Sequence, residues 1–214
     1  MSAPWYQRFM ASTRGRLITL LRRDACTVDE LAQRLNLTDN AVRAHLATLE
    51  RDGIVEQHGV RRSGGSGKPA FAYSLAPAAE QLFPKPYAAV LDETLNALHG
   101  RMSQEEVEAL LRESGRRLAQ RFPPASGDLN ARLEAAVAAL NQLGGLAELD
   151  ESAGAPEIRG HSCVLAALAP THLEVCHLAE TFVSEVAGVQ VRECCDRGPT
   201  PRCGFIPAAT GYEG

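Results

Sequence analysis

Two rhythms of apolar and polar positions run along this chain. From Trp5 onward, Phe9, Met10, Leu17, Ile18, Leu20 and Leu21 recur at near-helical spacing, which predicts a helix over residues 4–23 with Gly15 as its weak point. Thr27-Val28-Asp29-Glu30 has the form of a capping box and opens a short helix with Leu31 and Leu35 turned inward. Asn36-Leu37 turns the chain, and Thr38 caps a longer helix with Val42, Leu46 and Leu49 on one face. Asp52-Gly53 ends that helix. The period then falls to two: Ile54-Val55-Glu56-Gln57 reads as a strand, Ser63-Gly64-Gly65-Ser66-Gly67 as a hairpin tip, and Ala70 to Leu75 as the return strand. Helix, helix, turn, helix, strand, basic glycine loop, strand is the element order of a winged helix-turn-helix.

Further on, Tyr87, Leu91, Leu95 and Leu98 mark one helix, and Val107, Leu110, Leu111, Leu118 and Phe122 a second, within residues 84–122. Pro123-Pro124 stops the second. A third helix over 128–143 carries Leu129, Leu133, Val137, Leu140 and Leu143, and ends at Gly144-Gly145. The remainder reads as strand 146–150, strand 157–165, helix 171–187, strand 189–195, turn 196–201 and strand 202–207. The expected fold class is mainly α with α+β. Its parts are a winged helix-turn-helix over 1–80, a helical connector and dimerisation region over 81–145, and a small α+β sensor domain with clustered cysteines over 146–214.

Composition adds little until it is divided. With 214 residues, 45% hydrophobic and 22% charged, the chain has the make-up of a soluble globular protein. No apolar run approaches the ~18–20 residues that span a bilayer, and the N-terminus shows no signal-like h-region, so a cytoplasmic, membrane-free protein is expected. The net charge of −4 conceals an asymmetry: residues 1–75 carry 11 Lys/Arg against 7 Asp/Glu, and residues 76–214 carry 11 against 19. Any contact with a polyanion therefore belongs to the first third.

Within that third, residues 38–51 are the expected recognition helix, whose N-terminal residues reach base edges in the major groove. Arg43 has the fork to grip guanine and Asn40 the amide to read adenine, with His45 on a further face. Thr27 and Thr38 offer hydroxyls to phosphates, and Arg61, Arg62 and Lys68 flank the tip of the wing. Each residue alone reads equally well as a solvated polar position. Element order, two caps, a basic wing and local positive charge together favour double-stranded DNA. Residues 12–75 resemble the winged-helix domains of ArsR-type bacterial regulators, most closely along Leu37-Thr38-Asp39-Asn40-Ala41-Val42-Arg43-Ala44-His45-Leu46 and on to Gly53-Ile54-Val55. The resemblance implies a homodimer on a palindromic operator.

The second concentration of chemistry is sulfur. Cys163, Cys176, Cys194, Cys195 and Cys203 crowd the last quarter, whereas the first 160 residues hold only Cys26. A reducing compartment makes such clusters metal sites or redox switches more often than structural disulfides. Twelve residues separate Cys163, read as ending a strand, from Cys176 in the following helix. Cys194-Cys195 ends the next strand and Cys203 begins its hairpin partner, so three or four sulfurs converge. Neighbours on a strand point to opposite faces, so one member of the doublet faces the site. The spacing is neither that of a zinc ribbon nor of a ferredoxin. A set of buried thiols packing as small hydrophobes is the plain alternative.

Residues 157–207, with Cys163-x12-Cys176, a cysteine before Gly198 and Cys203-Gly204-Phe205, resemble the C-terminal region of the Suf-operon repressor type (SufR-like). That resemblance implies an iron–sulfur cluster whose occupancy changes operator affinity. It carries the ligand role to Cys163, Cys176 and Cys203, with Cys194 as the fourth because it lies four residues before Gly198, and Cys195 as its alternative. Zinc, a thiol–disulfide switch or a small ligand would suit a regulator of the same build. His161, His172 or His177 would serve if imidazole replaced one thiolate. An enzyme with Cys163 or Cys176 as nucleophile is disfavoured. His177 follows Cys176 in a helix, which splays the two side chains by about 100°. The chain also lacks a glycine-rich phosphate loop, HExxH and GxSxG.

Overall fold

The computed structural model describes residues 4–61, 69–152, 155–198 and 200–208. They form two compact units, Met1–Lys85 and Pro86–Gly214. Residues 86–145, expected as a connector, fall in the same unit as residues 146–214.

In the first unit, the helix expected over 4–23 is two helices, α1 (Pro4–Ala11) and α2 (Thr13–Arg23). The break falls at Ser12, whose side chain caps α2 by accepting from the Gly15 backbone N–H. Gly15 is what allows the two helices to meet, because a Cβ there would lie 2.3 Å from the Phe9 carbonyl oxygen. A two-residue strand β1 (Cys26–Thr27) follows, too short for any alternation to announce it. Helix α3 (Val28–Leu35) starts from the complete capping box of Thr27 and Glu30 and ends at Asn36 in the left-handed conformation. Thr38 caps α4 (Asp39–Arg51) through the Ala41 N–H. Strands β2 (Val55–Arg61) and β3 (Ala70–Leu75) form the wing, and the antiparallel sheet order is β1-β3-β2. Leu17, Ile18, Leu31, Val42, Leu46, Leu49 and Val55 make the core, which closes over Cys26. A 3-10 turn, Pro77–Leu82, ends the unit, held where Arg22 forks onto Glu80 and stacks 3.8 Å over the Phe83 ring.

In the second unit, α5 (Tyr87–His99), α6 (Gln104–Ala119) and α7 (Leu129–Gln142) precede a four-stranded antiparallel sheet. Its strands are β4 (Ala147–Asp150), β5 (Glu157–Gly160), β6 (Val191–Glu193) and β7 (Gly204–Pro207), in the order β4-β5-β7-β6. Helix α8 (Val175–Ala187) lies between β5 and β6 in sequence and is apolar over much of its circumference. It packs on α6 across Gly115, where a Cβ would stand 2.5 Å from the Leu178 carbonyl oxygen. Leu133, Ile158, Phe182, Val183 and Phe205 form one core under the sheet. Leu95, Val107, Leu111, Leu168 and Val175 form another around the start of α8. The apolar faces of α6 and α7 are thus spent on α8 and the sheet.

Candidate functional site

The first unit carries the helix-turn-helix on which the residues expected to contact DNA fall. Thr38, Asn40 and Arg43 are exposed on the first turns of α4, and His45 is half-buried. Arg43 borders a surface concavity of about 510 Å³ between α3, α4 and β3, with Asp29, Asp39, Phe71 and Tyr73 among its walls. Arg61 is exposed on β2 and lies 3.2 Å from Asp24 and 3.8 Å from Glu30. Such exposed pairs contribute little stability and do not prevent a phosphate contact. Arg62 and Lys68, together with the glycine tip between them, lie outside the described residues.

Thr27 departs from expectation. Its side chain is buried and its hydroxyl accepts the Glu30 N–H at 3.3 Å inside the capping box. A hydroxyl so placed holds α3 rather than a phosphate. Thr27→Ala is expected to lower stability by about 1 kcal/mol while leaving DNA affinity unchanged, read by urea denaturation and fluorescence anisotropy. A selective loss of DNA affinity would reverse this assignment.

In the second unit the cysteines gather, though not from the elements expected. Strand β5 ends at Gly160, so Cys163 stands in the turn that follows rather than at a strand end. Cys176 is the second residue of α8, and Cys194-Cys195 and Cys203 flank the tight connection between β6 and β7. The Cys194 N–H donates to Gly204 O at 2.8 Å, and Asp196 pairs with Arg202, which folds the hairpin back. The doublet divides as alternation requires, but with the opposite member inward. Cys194 is exposed, with its Sγ 3.7 Å from Glu157 Oε1. Cys195 faces Cys176 and Cys203 and receives the Gly204 N–H on its sulfur at 3.4 Å.

Four thiols then form a file: Cys176 stands against Cys195, Cys195 against Cys203, and Cys203 against Cys163. The Cys195 thiol also donates to Gly204 O at 3.8 Å. The electrostatics follow from these contacts. Cys163 only receives, from the Cys203 thiol first and also from the Leu165 backbone N–H, and its pKa falls to about 7. Cys203 donates to Cys163 and is pushed up to about 12. For Cys195 the contact with Cys176 lowers the value, but the contact with Cys203 and burial outweigh it, and the result is about 12. The Cys176 thiol is raised by its donation to Cys195 and then by burial. In metal-free protein, alkylation by iodoacetamide is therefore expected first at Cys163, half-maximal near pH 7 and rising with pH as thiolate forms. Peptide mass mapping checks the order, and Cys194 reacting first would contradict the file.

None of the histidines joins the sulfurs. His161 pairs with Glu148 at 2.9 Å, and His177 Nε2 lies 3.6 Å from Glu108. His172 is buried and belongs to another group. Its Nδ1 is 3.2 Å from Glu174 Oε1 and its Nε2 is 3.1 Å from Asp92 Oδ1. His99, at the end of α5, places Nε2 2.8 Å from the same Glu174 oxygen, with its ring stacked on that of His172 at 5.8 Å. His99, His172 and Glu174 form the set of metal-ligating groups, among the described residues, whose donor atoms all lie within 4.8 Å of one another. No three cysteine sulfurs meet that spacing. A cleft of about 400 Å³ is bordered by His99, Glu174, Cys176, His177 and Arg197. Sequence reasoning missed Asp92 and His99 entirely. The one hint was His172-Leu173-Glu174, a weak signal because two ligating residues so spaced are common in turns.

Comparison with known proteins bears on the first unit. The helix-turn-helix domain family matches residues 9–58, from the end of α1 into β2. The matched segment takes in α2, α3 and α4, the helix-turn-helix of the N-terminal unit. Among solved structures, reduced HlyU from Vibrio cholerae is 29% identical over 33% of this chain and 68% of its own, with a TM-score of 0.27. An apo double mutant of ZitR from Lactococcus lactis is 21% identical over 50% of this chain and 79% of its own, with a TM-score of 0.29. No curated protein matches the chain. No helix among the described residues is long and apolar enough to cross a membrane.

Proposed function

We propose that this chain is a transcriptional regulator of the ArsR-like and SufR-like kind, in which Cys163, Cys176, Cys195 and Cys203 hold an iron–sulfur cluster that sets operator affinity. The observation that carries the reading is the file of four thiols drawn from the turn after β5, the start of α8 and the β6–β7 hairpin. The donor set suits the group. Four sulfur ligands match the preference of such clusters, and backbone N–H groups of Leu165, Val164 and Gly204 reach Cys163, Cys203 and Cys195.

When bound, the cluster supplies an oxidant-sensitive redox centre. The chain's own residues do the rest. Cys163 gives up its proton most readily, and the Cys203, Cys195 and Cys176 protons must leave for ligation, so binding releases protons. Ligation would fasten the 161–174 turn, α8 and the hairpin together, and their loosening on cluster loss would shift the population of DNA-competent states. Arg43 and Asn40 would read bases from α4. A homodimer belongs to this reading: α5 leaves Tyr87, Val90 and Leu91 exposed at i, i+3 and i+4, an apolar stripe suited to a second copy.

The test is operator affinity measured by anisotropy on anaerobically purified protein, before and after cluster removal, with iron, sulfide and visible absorption determined on the same samples. A change of at least about fivefold is expected, the lower end of ordinary allosteric coupling. Equal affinity in both states would refute cluster sensing. A colourless protein without iron after anaerobic reconstitution would leave the second reading, a thiol switch or zinc sensor, which the lowered Cys163 thiol favours.

A further inference from the structure

We infer that His99, His172 and Glu174 form a binding site for one divalent transition-metal ion of the zinc class, separate from the four cysteines. The two imidazoles converge on one carboxylate oxygen, Glu174 Oε1, at 2.8 Å from His99 Nε2 and 3.2 Å from His172 Nδ1. Two imidazoles and one carboxylate are a ligand set that zinc-type ions accept, whereas magnesium and calcium favour oxygen-only ligands.

His172 supplies the stronger argument. It is 5% exposed and its far nitrogen, Nε2, faces Asp92 Oδ1 at 3.1 Å. A carboxylate behind the imidazole is the usual support for a ligating histidine, because it fixes the tautomer that offers the other nitrogen as a lone pair. With Nε2–H given to Asp92, Nδ1 presents its lone pair to a carboxylate oxygen that also has only lone pairs to offer. A proton on Nδ1 is one way to join those two atoms. A metal ion is another, and it alone would take the lone pairs of His172, His99 and Glu174 together.

The place of the site suggests its consequence. His99 is the last residue of α5, and Glu174 is the residue that precedes α8. An ion there would clamp the end of α5 to the start of α8, two residues before Cys176. Its remaining coordination position faces the cleft that Cys176 also borders, where water or a small anion has room. The segment that positions one end of the thiol file would then answer to a second metal.

Cobalt(II) titration of the full-length, metal-free protein tests this, because cobalt bound to sulfur shows charge-transfer absorption that nitrogen and oxygen ligands do not give. With all thiols alkylated, one equivalent is expected to bind with ligand-field bands alone. His99→Ala and Glu174→Gln are expected to weaken that binding at least about tenfold, and Asp92→Asn by about 10–100-fold. Because alkylation of buried sulfurs can disturb folding, the same titration on the unalkylated Cys163→Ser/Cys195→Ser double variant provides an independent reading. Zinc should also raise the thermal midpoint of the wild type and not that of His99→Ala. Absence of cobalt binding in both preparations, or binding unchanged in His99→Ala, would overturn the site. Iron and sulfide content reports on the cysteines alone, so failure there leaves this result standing.

Discussion

Cys195→Ser is expected to strip iron and sulfide from the anaerobically purified protein, by at least about tenfold, while Cys194→Ser leaves both near wild-type levels. The two residues are adjacent and chemically identical, so only geometry separates them. Along the extended backbone after β6, Cys194 turns outward to Glu157 and Cys195 turns inward between Cys176 and Cys203. Removing Cys195 deletes the central link of the file and leaves Cys176 without its acceptor. Serine keeps the size and polarity of the side chain, so a folded, cluster-free protein is the expected product. Circular dichroism and gel filtration establish that it is folded. If the losses fall on Cys194→Ser instead, the hairpin register drawn here is wrong by one residue.

Arg43→Ala should weaken binding to the cognate operator by about 1–3 kcal/mol, roughly 5–150-fold, with little change in folding stability. Arg43 is exposed on the second turn of α4, next to Val42, which is buried in the core. Alanine is the best helix former, so the helix persists without the guanidinium. Anisotropy titrations with operator and scrambled duplexes, each over a range of salt, divide the possible roles. A base contact loses affinity for the operator alone and relaxes its sequence preference. A phosphate contact weakens both duplexes alike and lowers the salt slope by about one. Arg51→Ala at the far end of the helix is the control, since Arg51 is exposed and, among the described residues, pairs with its neighbour Asp52. Unchanged affinity in Arg43→Ala would remove α4 from base reading.

The helix-turn-helix unit was largely legible because its signals are local. Thr27 with Glu30, Thr38 with Ala41, and Gly53 at positive φ each act over three or four residues, and the spacing of Val42, Leu46 and Leu49 encodes the buried face directly. The same locality misled at Thr27, where a capping hydroxyl resembles a phosphate-binding one until burial is known. Ser12 shows the reverse failure. It caps a new helix, but the break depends on α1 folding back across Gly15, which no periodicity records.

What the sequence determined by itself was therefore the order of elements, the caps, the segregation of positive charge into the first third and the concentration of sulfur in the last quarter. The tertiary structure alone decided that α6 and α7 share one unit with the cysteine-bearing sheet, that Cys195 rather than Cys194 faces inward, and that His99 meets His172 and Glu174. The physical reason is separation along the chain. Asp92 and His172 are 80 residues apart, Cys163 and Cys203 are 40 apart, and β5 pairs with β7 across α8 and β6. Such contacts are selected by the burial of Ile158, Phe182 and Phe205 in one core. The side chains that do the chemistry are carried into place by that packing.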